Sequence, residues 1–177
     1  MVGKLTWWAF GPVALLLCGW ISWGRMFFGA AGWGVIFYPV IVVPAVVILA
    51  GPIAIAVVCS PVRPRRFAAL EALVVACAGV AGFVVGLAVP DSGDAPDSTQ
   101  SILTTLTVIS VDASSSLAWW SAGAAVVLLI AAFTLTVVRV AGERRAAAQR
   151  PPYPPQSMPF PPPPGTSAWP PREQNPR

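Results

Sequence analysis

The stretch WGVIFYPVIVVPAVVILAGPIAIAVVCS, residues 33–60, decides the fold class, because its 28 residues include no charged side chain. A helix of about 20 apolar residues crosses a hydrocarbon layer about 30 Å thick. A backbone in lipid must also satisfy its hydrogen bonds internally, which favours a helix. The stretch therefore predicts a transmembrane helix, and we expect the chain around it to be an integral membrane protein.

Three further apolar runs are long enough to span a membrane, over about residues 7–23, 67–89 and 119–138. Together with residues 33–60 they predict an all-α membrane domain over residues 1–150, a bundle of four transmembrane helices. The whole chain is 56% hydrophobic and 10% charged. A soluble globular protein has about a quarter of its residues charged, so this composition argues against a soluble protein.

The first apolar run also has a second interpretation. Lys4 before an apolar core, and small residues at positions 29–31, resemble a cleaved signal peptide, which would leave three spans. Tryptophan pairs near both ends of the run favour a retained span, because indole rings prefer the membrane interface. We therefore expect four spans.

The basic residues gather on one predicted side of the membrane. They precede the first span, join the second to the third, and follow the fourth: Lys4, Arg63, Arg65, Arg66, Arg139, Arg144, Arg145 and Arg150. The loop 90–118 has four aspartates and no basic residue. Because short cytoplasmic loops are enriched in Lys and Arg, we predict that both termini are cytoplasmic and that this acidic loop is external. Arg25 alone disagrees.

The ten arginines against one lysine, with abundant Ala, Val, Gly and Pro, resemble the composition of a high-GC bacterium, so we expect a bacterial cell membrane. The formal net charge of +4 is spread over helix ends rather than along a basic stripe. We therefore expect no nucleic-acid partner. Within the acidic loop, residues 102–111 (ILTTLTVISV) predict a short strand or an interfacial helix.

The third span carries a face of small residues. Ala78, Gly82 and Gly86 recur every four residues, a spacing that lets two membrane helices approach closely. Glu71 lies on the same face near the predicted cytoplasmic end, and Arg139 ends the fourth span at the same predicted depth. Arg66 is also nearby, and we expect Glu71 to form a salt bridge or an interfacial hydrogen bond at this depth. A proton or cation relay through Glu71, or a role in partner assembly, is the alternative.

Few other features of the spans suggest chemistry. Pro39, Pro44 and Pro52 predict kinks in the second span, and a hinge at a binding site is the alternative interpretation. The chain has no histidine, and its three cysteines fall in three different spans. The spacing of Asp91, Asp94 and Asp97 does not match a calcium loop, so we expect a solvated acidic loop there. We predict no catalytic residue, no cofactor, no metal ion and no enzyme activity.

Residues 151–177 contain 12 of the 20 prolines and almost no aliphatic side chain. Such a segment cannot form a core and favours extended polyproline II conformations, so we predict a disordered cytoplasmic tail. Prolines interspersed with aromatic residues fit an aromatic-lined groove of a cytoplasmic partner, although a tail without a partner is the alternative. The candidate docking residues are Pro151, Pro152, Tyr153, Pro154, Pro155, Phe160 and Trp169.

These features favour a non-enzymatic accessory or scaffold subunit of a membrane complex. Its expected partners are the lipid bilayer, a membrane protein or further copies of the chain, and a cytoplasmic protein that binds polyproline II segments. The alternative is a small transporter or channel subunit that uses the kinked second span and Glu71. Transport usually needs several polar groups along a path. The predicted spans offer only Glu71 and a few hydroxyls, such as those of Thr134 and Thr136.

Overall fold

The computed structural model describes residues 2–30, 32–63, 65–91 and 99–149. Helices dominate this part of the chain, which contains no β-strand and a single isolated bridge between Asp91 and Gln100. The helices are α1 (Val2–Trp23), continued by a 3-10 helix (Gly24–Phe28), α2 (Gly34–Val58), α3 (Ala69–Ala88), the short α4 (Ile102–Leu106) and α5 (Val111–Ala148). The predicted all-α fold is therefore confirmed for the described residues.

Four of these helices, α1, α2, α3 and α5, are long and apolar enough to cross a membrane. Each of them packs mainly against two of the others: α1 and α5 both contact α2 and α3. The long helices therefore follow one another around the bundle in the order α1, α3, α5, α2. The start of α3 and the end of α5 lie at one end of the bundle with the start of α1 and the end of α2, which we call the basic end. The opposite end is called the loop end.

The helix boundaries differ from the sequence expectations mainly in α5. Its 38 residues include positions 111–118, which the prediction assigned to the loop 90–118, and it continues ten residues past position 138. Ser110 starts the helix, because its hydroxyl accepts a hydrogen bond of 3.2 Å from the Ala113 amide. At 1.5 Å per residue, α5 is about 57 Å long. The helix is therefore longer than a hydrocarbon layer of about 30 Å is thick.

The segment 102–111 divides into two parts. Ile102–Leu106 forms the helix α4, and the residues after it leave the helical conformation before α5 begins. Ser101 and Thr104 cap α4 reciprocally: the Ser101 hydroxyl accepts from the Thr104 amide at 3.0 Å, and the Thr104 hydroxyl accepts from the Ser101 amide at 2.8 Å. A helix is therefore correct for the first half of this segment, and a strand is wrong for the described residues.

Prolines do not end α2, which continues through Pro39, Pro44 and Pro52. The kinks expected there stay a prediction. The tightest apolar core lies near the basic end, where Ile53 and Val57 of α2, Ala72 of α3 and Ala132 of α5 surround Phe67. Elsewhere, large apolar side chains face outward on all four long helices. Such an extensive exposed apolar surface fits a multi-pass membrane protein, because lipid rather than water would cover it.

Candidate functional site

An ion-pair network with one buried carboxylate joins α3 and α5 at the basic end. The Arg139 guanidinium donates to Glu71 Oε1 at 2.7 Å and to Glu143 Oε1 at 2.7 Å. Glu71 is only 2% exposed, and its Oε2 accepts a hydrogen bond of 2.9 Å from the Ala68 amide at the start of α3. Both carboxylate oxygens of Glu71 are therefore bound, one to a cation and one to the helix backbone.

The network continues to the end of α2. The Ser60 hydroxyl donates to Glu143 Oε2 at 2.6 Å, and the Arg144 guanidinium donates to the Cys59 carbonyl oxygen at 3.1 Å. Arg139 also donates to the Arg66 carbonyl oxygen at 3.4 Å, in the connection between α2 and α3. One arginine and two carboxylates thus connect three of the four long helices. Their hydrogen bonds offset the cost of removing the charges from water.

A second buried ion pair lies at the loop end and was not found from the sequence. The Arg25 Nη1 atom lies 3.3 Å from the Asp91 Oδ2 atom, and the two side chains are 2% and 3% exposed. The Asp91 carboxylate also accepts backbone hydrogen bonds of 2.8 Å from the Gly32 and Gly34 amides. The Arg25 guanidinium lies over the Tyr38 ring, 4.4 Å from the ring centroid.

This second pair corrects one expectation. Arg25, the basic residue that disagrees with the predicted orientation, forms an ion pair with Asp91. Asp91 was assigned to a solvated acidic loop, but it is buried and connects the end of α3 to the start of α2. The sequence holds one signal for this ion pair: Arg25 is the only basic residue on the side predicted to be external, where acidic residues are plentiful. Asp94 and Asp97 lie outside the described residues.

Hydroxyl groups make a further connection at the loop end. The Ser114 hydroxyl of α5 donates to the Ala88 carbonyl oxygen of α3 at 2.7 Å, and it lies 2.7 Å from the Ser101 hydroxyl before α4. Thr134, one of the two span hydroxyls noted from the sequence, donates to the Ile130 carbonyl oxygen of its own helix at 2.9 Å. The other, Thr136, is buried without a hydrogen-bond partner among the described residues.

The small-residue face of α3 packs against α1 of the same chain. Ala78 is buried, a Cβ atom on Gly82 would meet the Leu17 side chain at 3.7 Å, and one on Gly86 would overlap the Trp20 indole. The Trp20 indole donates to the Phe83 carbonyl oxygen at 3.1 Å and stacks on the Phe83 ring with centroids 5.0 Å apart. The face therefore serves close packing between α1 and α3 within the chain.

An apolar cleft of about 670 Å³ lies between the four long helices. Of the described side chains that line it, only Thr6 carries a polar group, and its hydroxyl donates to the Val2 carbonyl oxygen of its own helix. Neither Glu71 nor any proline of α2 lines the cleft. The cleft can hold an apolar group such as a lipid chain, and it offers no side-chain charge to an ion.

Metal ligands are not grouped in the described part of the chain, where no cluster of three or more His, Cys, Asp or Glu side chains occurs. Cys18 is buried, Cys59 and Cys77 are exposed, and all three thiols are free. The candidate docking residues of the tail, within residues 151–177, lie outside the described residues. Comparison with known proteins identifies no relative: no family model, curated protein sequence or solved structure matches the chain.

Proposed function

We propose that the chain is a non-enzymatic accessory or scaffold subunit of a complex in a bacterial cell membrane. In this proposal the four long helices anchor the protein, and residues 151–177 bind a cytoplasmic partner through their proline and aromatic side chains. The supporting observation is that charged side chains of the bundle bind to one another at the helix ends and do not line the cleft between the helices. The ion pairs Arg25–Asp91 and Glu71–Arg139 both connect helix ends, and the cleft between the helices is apolar. Catalysis and ion transport need polar groups that a substrate can reach.

Both termini are proposed to be cytoplasmic. The basic end includes Lys4, Arg63, Arg65 and Arg66, together with the arginines at the end of α5. At the loop end the one described basic side chain, Arg25, is paired with Asp91. The basic residues therefore gather at one end of the bundle, as the charge bias of cytoplasmic loops requires.

The alternative function, a small transporter or channel subunit, has less support. A transporter or channel of this kind would depend on Glu71 and the prolines of α2. These residues do not line the cleft, and Glu71 is bound to Arg139. If the variant Glu71→Gln assembled normally but abolished proton-coupled transport in vesicles, transport would replace the accessory role.

A membrane-protein partner would contact the outer surface of the bundle in this proposal. Gly82 and Gly86 of the small-residue face already meet Leu17 and Trp20 of α1, so this proposal places the partner elsewhere on the bundle. Outward-facing apolar side chains occur on every long helix, with Trp119 and Trp120 among the most exposed. A further copy of the chain could use the same surfaces.

Affinity purification in mild detergent tests the tail. We compare the full chain, a chain that ends at residue 150, and a full-length variant with Pro151, Pro152, Pro154 and Pro155 replaced by alanine. A matched control replaces four prolines that lie outside the candidate docking residues, Pro163, Pro164, Pro170 and Pro171. One stoichiometric partner is expected with the full chain and the control, and its loss is expected with the other two variants. A chain that purifies alone in every case would refute the scaffold role.

A further inference from the structure

A small pocket of about 320 Å³ opens at the basic end, between the first turns of α1 and the connection from α2 to α3. Among the described residues, three basic side chains and two indoles line it: Lys4, Arg63, Arg65, Trp7 and Trp8. No acidic side chain contributes to this lining. We call it the basic pocket.

The walls of the basic pocket are fixed to each other through Phe67. The Phe67 amide donates to the Gly3 carbonyl oxygen at 3.1 Å, and a Cβ atom on residue 3 would overlap the Phe67 carbonyl oxygen. Glycine at position 3 is therefore what permits the two backbones to touch. The Phe67 ring is buried against Trp7 and Phe10, with ring centroids 6.0 Å and 5.6 Å away. This packing holds Trp7 and the basic connection in place.

The positive charge of the basic pocket is not balanced within the described part of the chain. No described carboxylate lies within 4.0 Å of Lys4, Arg63 or Arg65. The ion pairs of the described residues involve only two basic side chains, Arg25 at the loop end and Arg139 on α5. The Nε atom of Arg65 is buried and has no described hydrogen-bond partner. A buried donor without an acceptor is costly, so an acceptor oxygen at this donor would stabilise the pocket, and the three unbalanced cations favour an oxygen that belongs to an anion.

We propose that the basic pocket binds the phosphate of an anionic phospholipid headgroup. Guanidinium and ammonium groups are the usual ligands of phosphate oxygens, and indole rings prefer the depth of lipid headgroups. Trp8 is 70% exposed and lies beside outward-facing apolar side chains of α1, such as Leu5 and Leu15, along which acyl chains would run. This continuity favours a lipid over a soluble phosphate. The inference depends on membrane insertion and does not depend on the accessory role.

Native mass spectrometry of the full chain in mild detergent tests this site with phosphatidylglycerol, zwitterionic phosphatidylcholine and inorganic phosphate as separate probes. The double variant Arg63→Gln/Arg65→Gln is compared with Arg66→Gln/Arg145→Gln, which removes the same charge from the same end of the bundle at residues that do not line the pocket. Each basic residue near an anionic lipid contributes about fivefold to binding, so the pocket variant should bind phosphatidylglycerol about 25-fold more weakly. The control variant should lose no more than about threefold.

Three results would overturn the proposal. The two double variants could weaken phosphatidylglycerol binding equally, phosphatidylcholine could bind as tightly as phosphatidylglycerol, or inorganic phosphate could displace the lipid at equal concentration. The variant Arg63→Lys/Arg65→Lys guards against loss of folding, because it keeps both charges. It should bind phosphatidylglycerol several times more tightly than the glutamine variant, and equal binding by these two variants would also refute the site.

Discussion

Replacing Gly86 by alanine is expected to destabilise the bundle, because the new methyl group would occupy the space of the Trp20 indole. A Cβ atom on residue 86 would lie well inside the 3.4 Å at which ordinary van der Waals contact begins. The indole cannot withdraw freely. Its N–H donates to the Phe83 carbonyl oxygen at 3.1 Å, and its ring stacks on the Phe83 ring at an interplanar angle of 11°.

The cost of this substitution has three parts. Overpacking costs about 2 kcal/mol. A hydrogen bond between membrane helices contributes about 0.6 kcal/mol, and the partial loss of ring stacking costs about 0.5 kcal/mol. Alanine regains about 1 kcal/mol, because it is the better helix former. The net loss in unfolding free energy is about 2 kcal/mol for Gly86→Ala.

Unfolding in mixed micelles titrated with sodium dodecyl sulfate measures this loss. Gly123→Ala is the matched control, because a Cβ atom on residue 123 of α5 meets nothing within 4 Å. This control should be neutral or up to about 1 kcal/mol more stable. In a Trp20→Ala background, Gly86→Ala should lose its penalty and become neutral or up to about 1 kcal/mol stabilising, which gives a coupling energy of about 2–3 kcal/mol. Equal effects of Gly86→Ala and Gly123→Ala would refute the contact between indole and glycine.

The other predictions concern the ion pairs and the thiols. Asp91→Ala should lose about 3–5 kcal/mol of unfolding free energy, because it leaves a buried guanidinium without its carboxylate, and it should cost more than Arg25→Met, after which Asp91 keeps its backbone donors. Arg139→Met should lose about 3 kcal/mol in the same micelle titration, and a loss below about 1 kcal/mol would contradict the network. A membrane-impermeant maleimide should label the exposed Cys59 only in inside-out vesicles, and the buried Cys18 only after unfolding.

The four long helices could be predicted from the sequence because the signal is local. An apolar run such as residues 33–60 must become a helix in lipid whatever lies around it, and its length is set by the bilayer. Hydropathy fails where α5 continues into polar sequence. Residues 111–118 include an aspartate and three serines, yet they are helical, because Ser110 caps the helix and Ser114 bonds to the end of α3. The contact between Ser114 and α3 joins distant parts of the chain, and no hydrophobic periodicity in the sequence indicates it.

The sequence indicates which residues pack or form ion pairs more readily than it indicates which side chains they contact. Spacing alone places Ala78, Gly82 and Gly86 on one face, and it says nothing about which helix covers that face. The answer depends on the shape of an opposing side chain, the Trp20 indole, which fits only against a residue without a Cβ atom. The sequence points to Glu71 and Arg139 because a charged residue in or at the end of an apolar span is unusual. It does not point to Glu143, the second carboxylate bound by Arg139, because Glu143 follows the apolar run and has the pattern of an ordinary solvated residue.

Arg25 bears directly on the proposed orientation. Counted from the sequence, it is a positive charge on the side assigned to the exterior, and it weakens the contrast between the two sides. The orientation bias counts Lys and Arg rather than net charge, so the ion pair with Asp91 leaves Arg25 in the count. That count is one basic residue on this side against eight near the spans on the other, and the eight include Lys4, Arg63 and Arg65. Lys4, Arg63 and Arg65 also line the pocket proposed to bind anionic lipid. The same basic side chains would therefore favour the proposed orientation and bind the lipid headgroup.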